Sequence, residues 1–119
     1  MKGETYLKKP ADFVRLHRQG RYLAHPWLVV KSLPNGQAYP RWGVVVGKKL
    51  GGAVERNRIK RRLREILRQA TIRPGRDVII VARQGIAAVE FSDLQQAVLE
   101  LLKKCNLVEF NEVAVPVVN

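Results

Sequence analysis

A strongly basic, amphipathic stretch over residues 48–68 constrains this chain more than any other part of its sequence. Its 21 residues include nine lysines or arginines and two glutamates, so it carries +7 of the chain's formal charge of +12. Ile59, Leu63, Ile66 and Leu67 interrupt the charges at the spacing of one helix face. Charge runs in disordered tails lack this periodicity. The stretch therefore predicts a basic helix, at about residues 55–69, that is anchored to a folded core.

The same periodicity divides the polar side of the helix into two faces. With about 100° of rotation per residue, the four apolar residues fall within an arc of roughly 100°. A neighbouring arc of similar width holds the side chains best placed to bind one ligand together. Adjacent like charges destabilise a helix, so a sequence selected for stability alone would intersperse acids among them. The residues of this basic arc are Asn57, Lys60, Arg61, Arg64 and Arg68, and Arg58, Arg62 and Glu65 lie further round.

The composition indicates a polyanion as the partner of this helix. The chain of 119 residues has a sequence pI near 10.6, and its 46% of hydrophobic residues is an ordinary globular share. A basic field concentrates phosphate polymers, and the arginine guanidinium pairs with phosphate in a bidentate manner. A solvated helix face explains many charge runs, but the uniform sign of this one favours a nucleic acid. Asn57 suits either a contact to a base or sugar or an N-terminal cap.

Other classes of protein fit the sequence less well. No apolar run has the length of a transmembrane helix, and residues 1–9 lack the apolar core of a signal peptide, so no membrane partner is expected. Cys105, the only cysteine, excludes a disulfide framework and fits a reducing, cytoplasmic environment. The two histidines and ten scattered acids match no catalytic or metal-binding motif, so no catalytic residue and no metal ligand is predicted.

The rest of the chain alternates between helical and strand-like patterns. Helices are predicted over residues 10–19, before Gly20, and from Ser92, where Ser92 and Gln95 match a capping box. Strands are predicted over residues 27–33, 41–46 and 77–82, and the last has the apolar composition of a buried central strand. This order indicates an α+β or α/β sandwich in which helices cover a sheet. Residues 108–119 suit either an edge strand or a loose tail.

Aromatic and basic residues near the amino terminus indicate a second nucleic-acid site, because single strands are bound by stacking as well as by charge. Phe13 and His17 are four residues apart and share one face of the first helix. A groove between this face and the sheet would hold unpaired nucleotides, and a protonated His17 would make their binding mildly pH-dependent. The alternative is that Phe13 packs in the core with Leu16 and contributes to stability alone.

The sequence resembles the bacterial ribonuclease P protein subunit over about residues 7–104. Residues 7–20 are similar to the first helix of that family, and residues 77–83 and the last helix match its later elements. The most specific similarity is the family's Arg-Asn-Arg motif. That motif and the basic residues that follow it in register are present as Arg56-Asn57-Arg58, Lys60, Arg61 and Arg64.

The length of the chain predicts a single domain over residues 1–119, and the resemblance implies an RNA-binding core at about residues 7–104. Residues 105–119 would form an extra strand or tail, unlike the usual short ending of the family. The implied fold is an α/β sandwich of the α+β class, built on a mixed, mainly four-stranded sheet in the order α-βββ-α-β-α. A left-handed crossover would lie near the basic helix.

The resemblance also implies that the protein joins a large catalytic RNA to form an endoribonuclease that removes the 5′ leader of precursor tRNA. Mg²⁺ ions bound mainly by the RNA would activate the attacking water, and no obligate protein partner is expected. The leader cleft would include Lys9 and Phe13, with His17 and Lys31 at positions that are aromatic in many members. The catalytic RNA would contact Lys48, Lys49, Arg56, Asn57, Arg58, Lys60, Arg61, Arg64 and Arg68.

Two other functions share parts of this pattern. A ribosomal or ribonucleoprotein-assembly protein would have the same charge and fold class, but the Arg-Asn-Arg block in its full context disfavours it. A DNA-binding module would place the basic helix in a major groove, yet the sequence has no helix-turn-helix spacing and no dimer zipper. The identity of co-purifying RNA would separate the three.

Overall fold

A four-stranded mixed sheet carries the three helices of the computed structural model, which describes residues 6–108. Short 3₁₀ turns over Lys48–Leu50 and Ile86–Ala88 precede α2 and α3. The order confirms the predicted α-βββ-α-β-α arrangement and the α+β class. Residues 109–119, for which an edge strand or a tail is expected, lie outside the described part. The elements are α1 (Pro10–Gln19), β1 (Arg21–Ala24), β2 (Leu28–Pro34), β3 (Arg41–Val45), α2 (Ala53–Gln69), β4 (Arg76–Ala82) and α3 (Phe91–Lys104).

The residue pattern predicts every helix and three of the strands to within two residues, but it misses β1. That strand is only four residues long and follows Gly20 directly, without a turn signal before it. The predicted capping box is wrong. Helix α3 begins at Phe91 with Glu90 as its N-cap, and no side chain forms a capping hydrogen bond there.

Strand β4 lies in the interior of the sheet, whose strand order is β1-β2-β4-β3. It pairs antiparallel with β2 and parallel with β3, and residues 77–80 are buried, which confirms the predicted central strand. Because β3 and β4 are parallel neighbours, the chain must cross over between them, and α2 forms that connection. The left-handed sense of this crossover stays a prediction.

Both faces of the sheet bury apolar side chains. Helices α2 and α3 cover one face, and the larger core cluster there extends to Leu107 and Val108. Helix α1 covers part of the other face, where Leu16 packs with Leu7 and Ile79. The predicted apolar arc of α2 is confirmed, because its four members are at most 1% exposed: Ile59, Leu63, Ile66 and Leu67.

A buried carboxylate fastens α1 to the sheet. Asp77 of β4 is fully buried, and Arg41 of β3 donates to it in a bidentate manner at 2.8 and 2.7 Å. Arg15 of α1 donates to Asp77 at 3.0 Å, and Asn35 does so from the turn after β2, also at 3.0 Å. The hydrogen bond to Asp77 raises the pKa of Arg41, so this guanidinium stays charged. The network therefore joins α1, β3, β4 and one turn.

Two glycines let α1 lie close to the strands. A Cβ on Gly20 would lie 3.3 Å from the Ser32 carbonyl oxygen of β2 and 2.5 Å from the Leu16 carbonyl oxygen, so a larger residue would force a shift there, although its φ of −68° is ordinary. A Cβ on Gly43 would lie 3.0 Å from Cζ of Phe13. The Phe13 ring therefore rests directly on the backbone of β3.

We expect Asp77→Asn to lower the free energy of unfolding by about 3 kcal/mol or more, because removing one partner of a buried ion pair leaves the others uncompensated. Chemical denaturation measures this loss. Asp93→Asn is the matched control, since Asp93 is an exposed carboxylate in the first turn of α3 and should cost less than about 1 kcal/mol. Equal losses in the two variants would show that Asp77 does not hold α1 in place.

Candidate nucleic-acid interface

Helix α2 exposes its predicted basic arc along one side. Asn57, Arg61, Arg64 and Arg68 are exposed and Lys60 is half-buried, while the apolar arc faces the core. Helix α2 begins at Ala53 with Gly52 as its N-cap, so Asn57 lies in the second turn and does not cap the helix. Of the two interpretations of Asn57, the contact to an external group remains.

Two of the arginines on α2 are held by backbone carbonyl groups. Nε of Arg56 donates to the Gly51 carbonyl oxygen at 3.0 Å and so ties the loop over residues 48–51 to the helix. A terminal nitrogen of Arg62 donates to the Val89 carbonyl oxygen at 3.0 Å, and its guanidinium lies 5.9 Å from the centre of the Phe91 ring. Both side chains therefore contribute to the fold, and Arg62 lies outside the basic arc.

The other cations of α2 differ in how strongly acidic side chains compete for them. Arg58 lies 4.0 Å from Glu55, and Arg68 donates to Glu65 at 3.1 Å. Within residues 6–108, Lys60, Arg61 and Arg64 have neither a hydrogen bond nor an ion pair from their side chains. These three charges are the ones on α2 most available to an external anion.

Lys48 and Lys49 lie in the loop that leads into α2, and both are exposed. The loop turns at Gly51, whose φ of 141° suits only glycine, and a Cβ there would lie 2.9 Å from Cγ of Glu55. The two lysines border an open depression of about 690 Å³ with an apolar floor that includes Val45 and Val81. Cationic and apolar groups thus meet at this end of the sheet.

A groove of about 470 Å³ connects α2 to α1. Phe13 and Gly43 line it together with Arg64 and Arg68, so the two sites that the sequence treats separately share one concave surface. Tyr6 also lines it. The Tyr6 ring packs edge-on against Trp42 with their centroids 4.8 Å apart, and its hydroxyl accepts a hydrogen bond from Arg68 at 3.2 Å. We call this surface the Phe13 groove.

His17 lies farther along α1 than Phe13, and it contacts Lys31 of β2. Nζ of Lys31 is 2.9 Å from Nδ1 of His17, and the ammonium is the donor when the imidazole is neutral. Partial burial of the ring, followed by the nearby Lys31 charge, lowers the pKa of His17 below its ordinary value of 6.5. The lowered pKa further favours the neutral imidazole near neutral pH, and the predicted pH dependence of leader binding stays a prediction. Lys9 is exposed at the N-cap of α1.

Tyr22 belongs to this face of the sheet, although the residue pattern alone does not single it out. Tyr22 of β1 pairs with Lys31 of β2, so their side chains are cross-strand neighbours on the face that carries α1. The Tyr22 side chain is 69% exposed, which leaves its ring open to stacking. In the sequence, Tyr22 is recognisable only as an aromatic residue that follows the first helix. Its place on the sheet cannot be inferred unless β1 is predicted.

Two further properties of the described residues bear on function. No group of three or more His, Cys, Asp or Glu side chains within them is placed to hold a metal ion. In the same part of the chain, no helix is long and apolar enough to cross a membrane. Cys105 is half-buried with a free thiol, and this burial raises its pKa.

Comparison with known proteins identifies relatives along nearly the whole chain. The Ribonuclease P family model matches residues 1–106. The ribonuclease P protein component of Herpetosiphon aurantiacus is 43% identical over 109 residues, which cover 90% of this chain and 89% of that protein. A solved structure of the Staphylococcus aureus RNase P protein has a TM-score of 0.79 at 34% identity and covers 87% of this chain and 97% of its own. The Thermotoga maritima RNase P protein has a TM-score of 0.77 at 33% identity, with coverages of 85% and 97%.

We expect the free energy of unfolding to fall as the pH drops below 6.5, because folding lowers the pKa of His17. The unfolded chain then binds more protons than the folded one, so the contribution is complete above 6.5 and is lost as the pH falls through the folded pKa. Denaturation curves across this range measure the effect. His17→Gln should remove this part of the pH dependence, and Lys31→Met should reduce it. An unchanged pH profile in His17→Gln would contradict the assignment.

Proposed function

The chain belongs to the bacterial ribonuclease P protein family, and we propose that it binds the catalytic RNA of that enzyme and the single-stranded 5′ leader of precursor tRNA. In this role it assists the endonucleolytic removal of the leader. The observation that carries the proposal is the Phe13 groove, in which an aromatic ring of α1 and the available Arg64 of α2 face one space. A protein binds unpaired RNA by stacking on its bases and by pairing cations with its phosphates.

The proposed contact to the catalytic RNA centres on Lys60, Arg61 and Arg64, whose charges no described protein group neutralises. Each guanidinium can bind one phosphate through two parallel hydrogen bonds, and each contact releases counterions from the RNA. Lys48 and Lys49 extend this surface beyond the amino end of α2, and Arg56 positions their loop through the Gly51 carbonyl oxygen. Asn57 adds a neutral donor and acceptor for a base or a sugar. Arg58 and Arg68 contribute after their exposed pairs with glutamates open.

The proposed path of the leader follows the α1 face of the sheet. It begins at the Phe13 groove, passes the Lys31–His17 pair and reaches Tyr22 on the edge strand β1. Phe13 and Tyr22 offer faces for stacked bases, while Lys31 and Lys9 pair with phosphates. His17 and Lys31 replace residues that are aromatic in many family members. The exposed Tyr22 therefore supplies a stacking surface that those substitutions remove.

The protein's own part in cleavage is to bind and orient RNA and to screen its charge. Mg²⁺ ions would be held by the catalytic RNA and supply the activation of water there. Cations that lie between two RNAs reduce the repulsion of their phosphates, so less magnesium is needed to bring the RNAs together. The cytoplasm, which contains precursor tRNA and keeps thiols reduced, is the proposed location.

Reconstitution with a bacterial ribonuclease P RNA tests this function. The protein alone should not cleave precursor tRNA, and adding it to the catalytic RNA should lower the magnesium concentration needed for cleavage. Cleavage rates measured over a magnesium titration, with and without protein, check both statements. Metal-dependent cleavage by the RNA-free protein would refute the proposal, as would an unchanged magnesium dependence.

Binding of protein variants to the catalytic RNA at several salt concentrations tests which side of α2 the RNA contacts. Arg61→Gln with Arg64→Gln should weaken binding and make the slope of log Kd against log salt shallower by about 0.7–0.9 for each phosphate that the variant no longer binds. Arg58→Gln should have a smaller effect than the single Arg61→Gln variant, because Arg58 is also exposed on α2 but lies outside the basic arc and near Glu55. A larger effect from Arg58→Gln would place the RNA on the other face.

The leader path predicts different effects on precursor and mature tRNA. Phe13→Leu and Tyr22→Leu should each weaken the binding of precursor tRNA to the holoenzyme by about 1–3 kcal/mol, the usual value of one stacked base. Binding of mature tRNA should barely change. Leucine keeps apolar contact over Gly43, so a thermal melt separates a loss of stacking from a loss of packing. Tyr39→Leu is the control, since Tyr39 is also exposed but lies in the turn before β3. Parallel losses for both tRNAs would remove Phe13 and Tyr22 from the leader site.

A further inference from the structure

A second basic depression, of about 320 Å³, lies at the opposite edge of the sheet from the Phe13 groove. The groove borders β3, whereas this depression borders β1, and three strand spacings separate those edges by roughly 14 Å. We call it the β1–α3 pocket. It is lined in part by Arg21, Ser32, Arg76, Lys104, Cys105 and Asn106.

Three different elements bring cations to this pocket: β1 provides Arg21, β4 provides Arg76 and α3 provides Lys104. Arg76 precedes Asp77, so side-chain alternation directs the two to opposite faces of β4. Arg76 therefore lies on the face covered by α2 and α3. Arg21 pairs with the buried Ser32 across β1 and β2, which places Ser32 on the floor of the pocket.

Among residues 6–108, no acidic side chain lines the pocket. In the same part of the chain, Arg21, Arg76 and Lys104 form no ion pair and no side-chain hydrogen bond. Three like charges around one concave space repel one another, so the arrangement is more stable with an anion between them.

The carboxyl end of α3 gives a structural reason for the position of only one of these three cations. Lys104 lies in the last turn, where a positive charge is favoured by the helix dipole. The carbonyl groups of Leu102 and Lys103 are already satisfied by the backbone, because the Leu107 N–H donates to Leu102 at 2.9 Å and the Asn106 N–H donates to Lys103 at 3.0 Å. Arg21 and Arg76 have no such structural reason to face the pocket.

We propose that the β1–α3 pocket binds a backbone phosphate in the 5′-distal part of the precursor-tRNA leader. Two guanidinium groups, the Lys104 ammonium and the Ser32 hydroxyl are all donors to phosphate oxygens. The inference rests on the proposed function, because the leader path ends at Tyr22, the sequence neighbour of Arg21 on the same edge strand. A leader that stacks on Tyr22 and turns around this edge brings its next phosphates to the pocket.

Leader length is the variable that tests this assignment. Precursor tRNAs with leaders from about 2 to about 15 nucleotides are bound to the holoenzyme containing either wild-type protein or the Arg21→Gln, Arg76→Gln double variant. The variant should lose affinity only for the longer leaders, with a salt slope shallower by about 0.7 for each phosphate that it no longer binds. Arg21→Lys with Arg76→Lys, which keeps the charge, should recover most of that slope.

The matched control is Arg18→Gln with Lys103→Gln, which removes the same charge from two exposed residues outside the pocket. It should leave the dependence on leader length unchanged. An affinity loss that is equal for all leader lengths, or that the control reproduces, would overturn the assignment to the distal leader.

A second measurement, the thermal melt of the protein in phosphate, needs no RNA. Inorganic phosphate, compared with chloride at equal ionic strength, should raise the Tm of the wild-type protein more than that of the glutamine double variant. Phosphate stabilisation together with an unchanged leader-length profile would mean that the pocket takes free anions only, which also overturns the proposal. If the proposed function itself fails, the wild-type protein will not improve binding of any precursor tRNA, while the phosphate melt still reports on the pocket.

Discussion

The arrangement of the proposed RNA-binding surfaces depends on the hydrogen bonds and ion pairs of the buried Asp77 carboxylate. It accepts hydrogen bonds from Arg15 on α1 and from Arg41 on β3, and so it holds the helix across the strands. That position seats Phe13 on Gly43, one wall of the Phe13 groove. Buried ion pairs often add little net stability, but breaking one is costly. Its main consequence here is therefore a defined placement of α1.

Helix α2 has two requirements that conflict. It must pack stably against the sheet, and it must keep some of its positive charges unpaired. Arg56 and Arg62 are bound to backbone carbonyl groups and serve the loop and the packing of α2. Lys60, Arg61 and Arg64 are left to the partner. Their repulsion is offset by the apolar arc, whose nearly complete burial ties the helix to the sheet. The proposed nucleic-acid contacts thus draw on residues whose side chains make no described hydrogen bond or ion pair in the free protein.

The α1 face of the sheet carries charge along the proposed leader path. His17 and Lys31, at positions where the family resemblance implies aromatic residues, have side chains 2.9 Å apart. Partial burial of the His17 ring and, after it, the nearby Lys31 charge lower the pKa of His17 and favour the neutral imidazole. The exposed Tyr22 on the neighbouring strand restores one aromatic face. Leader binding by this protein is therefore proposed to depend more on charge, and to stack on a different strand, than in relatives with both aromatic residues.

Local periodicity was enough to determine several parts of this protein. The apolar arc of α2, the bounds of α1 and the burial of β4 each depend on spacing within one segment, and the Arg-Asn-Arg block indicated the family. Other features depend on contacts between segments that are distant in sequence. The register of the strands and the placement of α1 decide four such features. They are the groove shared by Phe13 and Arg64, the neutral imidazole of His17, the proposed role of Tyr22 and the Asp77 network. The failed capping box shows the same limit, since the N-cap of α3 is Glu90, two residues before the predicted Ser92. A sequence pattern reports which face of an element is buried, and only the tertiary structure decides which elements meet there.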